Sequence, residues 1–180
     1  MCSSDLKEML SVSRRNKNAG QTEFTSVELN LLAGQIVAVN KFRARKTGVK
    51  IIFEPAPQPV CVWAKYYQVF QVINNLVVNA LNYTSEGYVK VSVNVVQERG
   101  QACLQVEDTG MGITPEDLPH MFERYYRSQR SEQANIPGTG LGLAIVKDIV
   151  TQHDGQIEVE SQVDKGTAFR VWLPLERDSK

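Results

Sequence analysis

The stretch from Ala64 to Thr84 constrains the fold most, because it contains neither glycine nor proline and carries two distinct stripes. At about 100° per residue, an α-helix here gathers its apolar side chains on one side. Those side chains are Val69, Val72, Ile73, Leu76 and Ala80. Asn75, Asn79 and Asn82 form a row of amides beside them. The sequence therefore predicts a long helix that buries one face and presents amides along its edge.

The amide row has two interpretations. Asparagine is a poor residue for a helix interior, because its side chain competes for backbone hydrogen bonds. Three aligned asparagines are explained either by a solvated face or by neutral oxygens that face a ligand. An amide oxygen can complete the shell of a Mg²⁺ ion whose other ligands are phosphates and water. The second interpretation makes this row a candidate ligand site.

Two alternating segments that follow this helix predict a sheet. YVKVSVNV (88–95) and QACLQVED (101–108) alternate apolar and polar residues, with a hairpin turn near Gly100. Further strands are predicted from VKIIFE, VCVW, GQIEVESQ and GTAFRVWLP. An earlier helix ends at Gly48 and has apolar residues at helical spacing: Leu29, Leu32, Ile36, Val39 and Phe42. The predicted fold is an α/β two-layer sandwich, with a mixed, largely antiparallel sheet and about three long helices on one face.

Composition limits the partners and the domain count. The 180 residues fit one domain at 24–180, preceded by a short helix at 5–16 and a polar linker at 17–23. Twenty basic residues balance twenty acidic ones, so no basic excess indicates a nucleic-acid or membrane partner. No apolar run is long enough to span a bilayer, and the three separated cysteines suit a reducing cytoplasm. We therefore expect a cytoplasmic location.

Asp108 ends an alternating strand on the same face as Leu104 and Val106, so the pattern predicts a carboxylate under the helices. A buried carboxylate needs a donor, and the amino group of adenine is suitable. Gly110 and Gly112 would let the chain turn tightly against a flat ligand. Two alternatives are a turn aspartate bonded to local N–H groups and an aspartic-protease Asp-Thr-Gly site. The protease site needs two such carboxylates, and the chain has one copy.

A second glycine cluster, at 138–142, opens the last predicted helix. Backbone N–H groups at a helix N-terminus bind phosphate. A dinucleotide-binding loop would follow a buried strand, whereas the preceding residues are polar and include Pro137. A Walker loop would need Gly-Lys-Ser/Thr, which is absent. Residues 128–138 lack periodicity and predict a mobile loop, and a short helix is predicted near PEDLPHMF (115–122).

These motifs, taken in order, resemble a known family. NNLVVNALNYT, DTGMGI, FERYYRS and GTGLGLAIVK are similar to the N, G1, F and G2 boxes of sensor histidine kinase catalytic and ATP-binding domains. Those domains belong with gyrase, the Hsp90 chaperones and MutL to the GHKL ATPases, which share the Bergerat-type ATP-binding fold. The resemblance implies that this chain binds ATP and Mg²⁺.

The resemblance also implies roles for single residues. Asn79 would be the main Mg²⁺ ligand, with Asn75 supporting the metal or the phosphates. Asp108 would bind adenine, and Arg127 and Asn75 would serve catalysis near the terminal phosphates. Asn82 stands where the family usually has a phosphate-binding lysine. The remaining expected nucleotide contacts are Tyr83, Gly110, Gly112, Ile113, Phe122 (as lid anchor), Gly138, Thr139, Gly140, Leu141, Gly142 and Leu143.

The implied reaction is transfer of the γ-phosphoryl group of Mg-ATP to a histidine on a dimerisation hairpin. Residues 1–23 resemble only the end of such a hairpin and its linker. His120 and His153, the two histidines of the chain, do not lie on an upstream helix. The hairpin and a response-regulator receiver domain are therefore the expected partners. The alternatives are a regulatory nucleotide-binding module without kinase activity and an anti-sigma-factor serine kinase; the F and G2 boxes favour the histidine kinase.

Overall fold

The computed structural model describes residues 23–176. Its helices are α1 (Leu29–Thr47), α2 (Tyr66–Tyr83), α3 (Gln129–Gln133) and α4 (Gly142–Gln152), with a 3₁₀ turn at Gln97–Arg99. Its strands are β1 (Thr25–Glu28), β2 (Lys50–Glu54), β3 (Cys61–Ala64), β4 (Tyr88–Val96), β5 (Gln101–Asp108), β6 (Gln156–Gln162) and β7 (Gly166–Pro174). The helix and linker predicted before residue 23 lie outside the described residues.

Five strands form the main sheet in the order β2-β4-β5-β7-β6. The β2–β4 pair is parallel and the other pairs are antiparallel, so the predicted mixed, largely antiparallel sheet is confirmed. β1 and β3 form a separate antiparallel pair. The sequence could not show that β1 and β3 form a separate sheet. Their apolar residues indicate strands but do not say which strands pair.

The core lies between the main sheet and helices α1, α2 and α4. Its largest fully buried side chains include Leu29 and Ile36 of α1, Ile73 and Leu76 of α2, and Leu104 of β5. The opposite face of the sheet is polar: the Lys90 ammonium lies 3.3 Å from the Glu107 carboxylate on the neighbouring strand. This one-sided burial confirms the two-layer α/β sandwich. Within residues 23–176, no helix combines the length and apolar character needed to cross a bilayer.

The start and end of α1 follow from its capping residues. The Glu28 carboxylate accepts hydrogen bonds from the backbone N–H groups of Asn30 and Leu31, which have no partner inside the helix. Gly48 ends the helix in a left-handed conformation with φ of 75°, as glycine allows. Two apolar residues at helical spacing face away from the core, since Val39 is 79% exposed and Phe42 is 68% exposed.

Two local expectations differ from the structure. The helix predicted near 115–122 is a series of turns, because Pro119 has no N–H to donate within a helix. Within the predicted loop 128–138, residues Gln129–Gln133 form the short helix α3. The Ser128 hydroxyl accepts from the Ser131 backbone N–H and caps that helix. Mobility of 128–138 stays a prediction.

Candidate nucleotide-binding site

Asp108 lies at the end of β5 on the buried face of the sheet, opposite Thr167 of β7. The residue is only 6% exposed, and its Oδ1 accepts a hydrogen bond from the Gly110 backbone N–H at 2.8 Å. Burial raises the pKa of its carboxyl group to about 6. The N–H groups of Gly110 and Thr167 oppose that rise, and the nearby Glu107 charge adds to it. Two N–H donors leave lone pairs of this buried carboxylate unused, so it can accept a further hydrogen bond from a ligand.

The raised pKa predicts opposite pH effects on stability and ligand binding. The folded pKa of about 6 exceeds the unfolded value of 3.8, so the folded state holds the proton more tightly. The contribution of Asp108 to the free energy of unfolding is therefore full below pH 3.8 and is lost as the pH rises through about 6. A ligand that donates to the carboxylate should instead bind more weakly as the pH falls below about 6.

Calorimetric titration of ATP between pH 5 and 8 checks the binding side of this expectation. Asp108→Asn is the matched reference, because the phosphates of ATP titrate equally in both experiments. The difference between the two pH profiles isolates the Asp108 carboxyl group. Profiles that run parallel throughout this range would contradict its role as an acceptor for the ligand.

The turn after Asp108 is compressed between two other backbone segments. The Met111 backbone N–H donates to the Tyr83 carbonyl at the end of α2, at 3.1 Å. A Cβ atom added to Gly110 would lie 2.3 Å from that carbonyl oxygen. Gly112 has φ of 65°, and a Cβ there would lie 2.1 Å from the Gln162 carbonyl oxygen. These two glycines therefore allow an approach of backbones that other residues would prevent.

The amide row of α2 faces the N-terminus of α4. Asn75 Nδ2 donates to the Gly142 carbonyl at 3.3 Å. A Cβ added to Gly142 would lie 3.9 Å from Asn79 Nδ2, so both asparagines lie beside the start of α4. Within residues 23–176, the Asn79 side chain makes no hydrogen bond, whereas Asn82 accepts one from the Arg43 guanidinium of α1. Asn79 is therefore free to contact a ligand, and Asn82 joins two helices.

The second glycine cluster, at 138–142, leads into α4 and contacts residues 122–128 (FERYYRS), here called the F-box segment. Tyr125 donates its backbone N–H to the Gly140 carbonyl at 2.8 Å. Gly140 has φ of 72°, and a Cβ there would lie 2.6 Å from the Tyr125 carbonyl carbon. Gly138 has open space around it, and Thr139 is exposed. The first N–H groups of α4 lack partners inside the helix, which favours an anion there.

The F-box segment brings polar groups to a cavity that Asp108 and Asn79 also line. The Tyr126 hydroxyl donates to Asp117 Oδ1 at 2.6 Å. The Arg127 guanidinium donates to the Ile136 carbonyl at 2.6 Å. Phe122 is half-buried against the core, with the Lys147 ammonium 5.5 Å from the centre of its ring. Phe122 thus holds this segment on the core, while Tyr126 and Arg127 face the cavity.

One cavity collects these groups. The predicted contacts that line it are Asn79, Tyr83, Asp108, Gly112, Ile113, Arg127 and Leu143. The predicted contacts outside its lining are Asn75, Asn82, Gly110, Phe122, Gly138, Thr139, Gly140, Leu141 and Gly142. Sequence reasoning missed Ala80, Met111, Asp117, Met121, Tyr126, Ser128, Thr167 and Phe169. Three of these residues are sequence neighbours of predicted ones: Met111, Tyr126 and Ser128. Strand pairing alone brings Thr167 and Phe169 to the cavity.

Comparison with known proteins finds a family model and relatives that match most of this chain. Residues 64–177 match the family model described as histidine kinase-, DNA gyrase B-, and HSP90-like ATPase. The chain is 39% identical over 116 residues to the sensor histidine kinase RppB of Synechocystis sp., a match covering 64% of this chain and 25% of RppB. The chain thus spans about a quarter of that relative.

Solved structures show the same fold. Full-length ShkA in complex with AMPPNP superposes with a TM-score of 0.75 at 25% identity, covering 87% of this chain and 32% of ShkA. The nucleotide-free catalytic domain of the histidine kinase ThkA superposes with a TM-score of 0.73 at 27% identity, covering 85% of this chain and 96% of that domain. The family match extends over more than half of the chain and includes all four motifs and the cavity. The chain belongs to the family of histidine kinase-, DNA gyrase B- and HSP90-like ATPases.

Proposed function

We propose that this chain is the ATP-binding catalytic domain of a two-component sensor kinase, which transfers the γ-phosphoryl group of ATP to a histidine imidazole. One observation carries the proposal: the cavity joins Asp108, a buried hydrogen-bond acceptor, to Asn79, an amide with no partner among residues 23–176, beside a helix N-terminus. Asp108 suits the amino group of adenine, whereas Asn79 and the helix N-terminus suit phosphates.

The comparisons support the nucleotide and the acceptor. ShkA was solved with AMPPNP, and RppB is named a sensor histidine kinase. His153 is buried and His120 lies outside the cavity lining, so we assign the acceptor to a histidine-bearing dimerisation hairpin outside the catalytic domain. The same class of kinase implies a response-regulator receiver domain as the next phosphoryl acceptor. We place this relay in the cytoplasm.

The donor set fits Mg²⁺ held jointly with phosphate. Within the described residues 23–176, no three His, Cys, Asp or Glu side chains cluster closely enough to hold a metal. Asn79 would provide a neutral oxygen, with Asn75 beside it, and phosphate and water would complete the shell. When bound, the ion would neutralise charge on the phosphates.

The remaining residues of the site would bind the nucleotide, orient it and enclose it. Asn75 fixes the start of α4 through its bond to the Gly142 carbonyl, so the helix N-terminus keeps its position beside Asn79. Arg127 lines the cavity and can offset charge on the terminal phosphate. Tyr126 and Ser128 also line the cavity and would exclude water from it. In phosphoryl transfer such positioning and charge neutralisation supply most of the catalysis.

Changing Asn79 should affect the metal more than the base. Asn79→Ala removes the proposed metal ligand, and Asn79→Asp adds a negative charge beside the phosphates. Asn79→Ala should lower the gain in ATP affinity from Mg²⁺, by roughly tenfold if one ligand to a charged group is lost. Asn79→Asp should instead weaken metal-free ATP binding most, because Mg²⁺ offsets the repulsion between the added carboxylate and the phosphates. The measurement is calorimetric titration of ATP with and without Mg²⁺.

Asn74→Ala is the matched control, because Asn74 lies on the same helix but outside the cavity lining. It should keep the full Mg²⁺ dependence. Unchanged Mg²⁺ dependence in both Asn79 variants would show that Asn79 belongs to a solvated helix face and does not bind the metal. Failure of the unmodified chain to bind ATP at all would contradict the proposed function itself.

A further inference from the structure

Residues 127–136 form a small folded unit at the rim of the cavity, here called the lid. Inside it, the Arg127 guanidinium donates to the Ile136 carbonyl, and the Ile136 N–H donates to the Ser131 carbonyl at 3.0 Å. Ser131 is fully buried, and its hydroxyl donates to the Ser128 carbonyl at 2.7 Å. These bonds close the segment on itself. The lid can therefore move as one body, so its position depends on what ties it to the rest of the domain.

Arg130 ties the lid to two other segments. Its Nη1 donates to the Met111 carbonyl at 3.2 Å, and its Nη2 donates to Asp164 Oδ1 at 2.7 Å. The Asp164 backbone N–H also donates to the Met111 carbonyl, at 2.9 Å. One guanidinium thus joins the lid, the turn after Asp108 and the turn between β6 and β7. Met111 lines the cavity, so this junction lies beside the base end of the site.

We propose that Arg130 is a positioning residue that latches the lid over the cavity and sets how long a nucleotide stays bound. The inference rests on the proposed function for the identity of the ligand. Moving the lid away from Met111 and Asp164 must break both Arg130 bonds. Loss of the latch should therefore raise the rate of nucleotide release more than it changes the rate of association.

The structure offers a matched control for this latch. Arg124 donates to Asp148 Oδ2 at 2.9 Å, and neither residue lines the cavity. This ion pair joins the F-box segment to α4 and does not tie down the lid. Arg130 is the more enclosed of the two arginines, with 34% of its side chain exposed against 70% for Arg124. Arg124→Ala therefore removes an arginine and an ion pair without removing the latch.

The experiment measures release of a fluorescent ADP analogue by stopped flow after mixing with excess ATP. Arg130→Ala should speed release about 3- to 10-fold, the range expected for losing one ion pair and one carbonyl bond. Asp164→Asn should have a smaller effect in the same direction, and Arg130→Ala with Asp164→Asn should release no faster than Arg130→Ala alone. Arg124→Ala should release at the unmodified rate.

A measurement without nucleotide tests the same latch. A glutamate-specific protease can cut after the exposed Glu132 inside the lid, and no variant removes that site. Arg130→Ala should be cut faster there than the unmodified chain, and Arg124→Ala should not. Equal release and equal cleavage for Arg130→Ala and the unmodified chain would overturn the latch alone. Equal acceleration by Arg130→Ala and Arg124→Ala would overturn it too. If the unmodified chain failed to bind the ADP analogue, the proposed function would fall as well.

Discussion

Asp108→Asn is expected to weaken ATP binding by roughly 1–3 kcal/mol, the cost of impairing a buried hydrogen bond to a charged group. That cost corresponds to about 5- to 150-fold in the dissociation constant. The asparagine oxygen can still accept from the Gly110 N–H, which now bonds the carboxylate at 2.8 Å. The other side-chain atom becomes an NH₂ donor, which would face the amino group of adenine at the proposed site. Calorimetric titration of ATP into both proteins measures the difference.

The same carboxylate should make the chain prefer ATP and ADP over GTP. Guanine presents a carbonyl oxygen where adenine presents an amino group, and two acceptors repel each other. Asp117→Asn is the matched control, because Asp117 also lines the cavity but already accepts a hydrogen bond from Tyr126. That variant should keep the preference for ATP. Equal affinities of the unmodified chain for ATP and GTP would contradict the assignment of Asp108.

The second large effect concerns the phosphoryl acceptor. The 180-residue chain alone should bind Mg-ATP yet incorporate at least about 100-fold less acid-labile phosphate than it transfers to an added hairpin, since in-line geometry is required. His153 is only 5% exposed, and both of its ring nitrogens are engaged. Its Nε2 accepts from the Lys65 N–H at 3.1 Å, and its Nδ1 lies 2.8 Å from the Ile149 carbonyl.

His120 is exposed, but its Nδ1 lies 2.7 Å from the Glu123 carboxylate and its side chain does not line the cavity. The assay incubates the chain with γ-labelled ATP, with and without a separate dimerising hairpin that carries a histidine. Label should appear on the hairpin and be lost in acid. A hairpin with glutamine in place of its histidine should stay unlabelled. Strong labelling of the chain alone, abolished by His120→Gln, would show that His120 is the acceptor.

The sequence determined the elements whose pattern is local. Alternation along β5 indicated that Asp108 shares the buried face with Leu104, and the structure confirms it. Helical periodicity placed Asn75 and Asn79 on one edge of α2, and both lie beside the start of α4. These predictions succeed because side-chain direction repeats every two residues in a strand and every 3.6 in a helix, whatever the element later packs against.

Only the tertiary structure decided which residues that are distant in sequence come into contact. Val39 and Phe42 have helical spacing but stay exposed, because the direction of a side chain does not say which face a neighbouring element covers. Thr167 joins the cavity only through the β5–β7 register, which no local pattern specifies. Arg130 reaches Met111 and Asp164 across 19 and 34 residues of sequence, so both bonds form only once helix α3 and two separate turns are brought together.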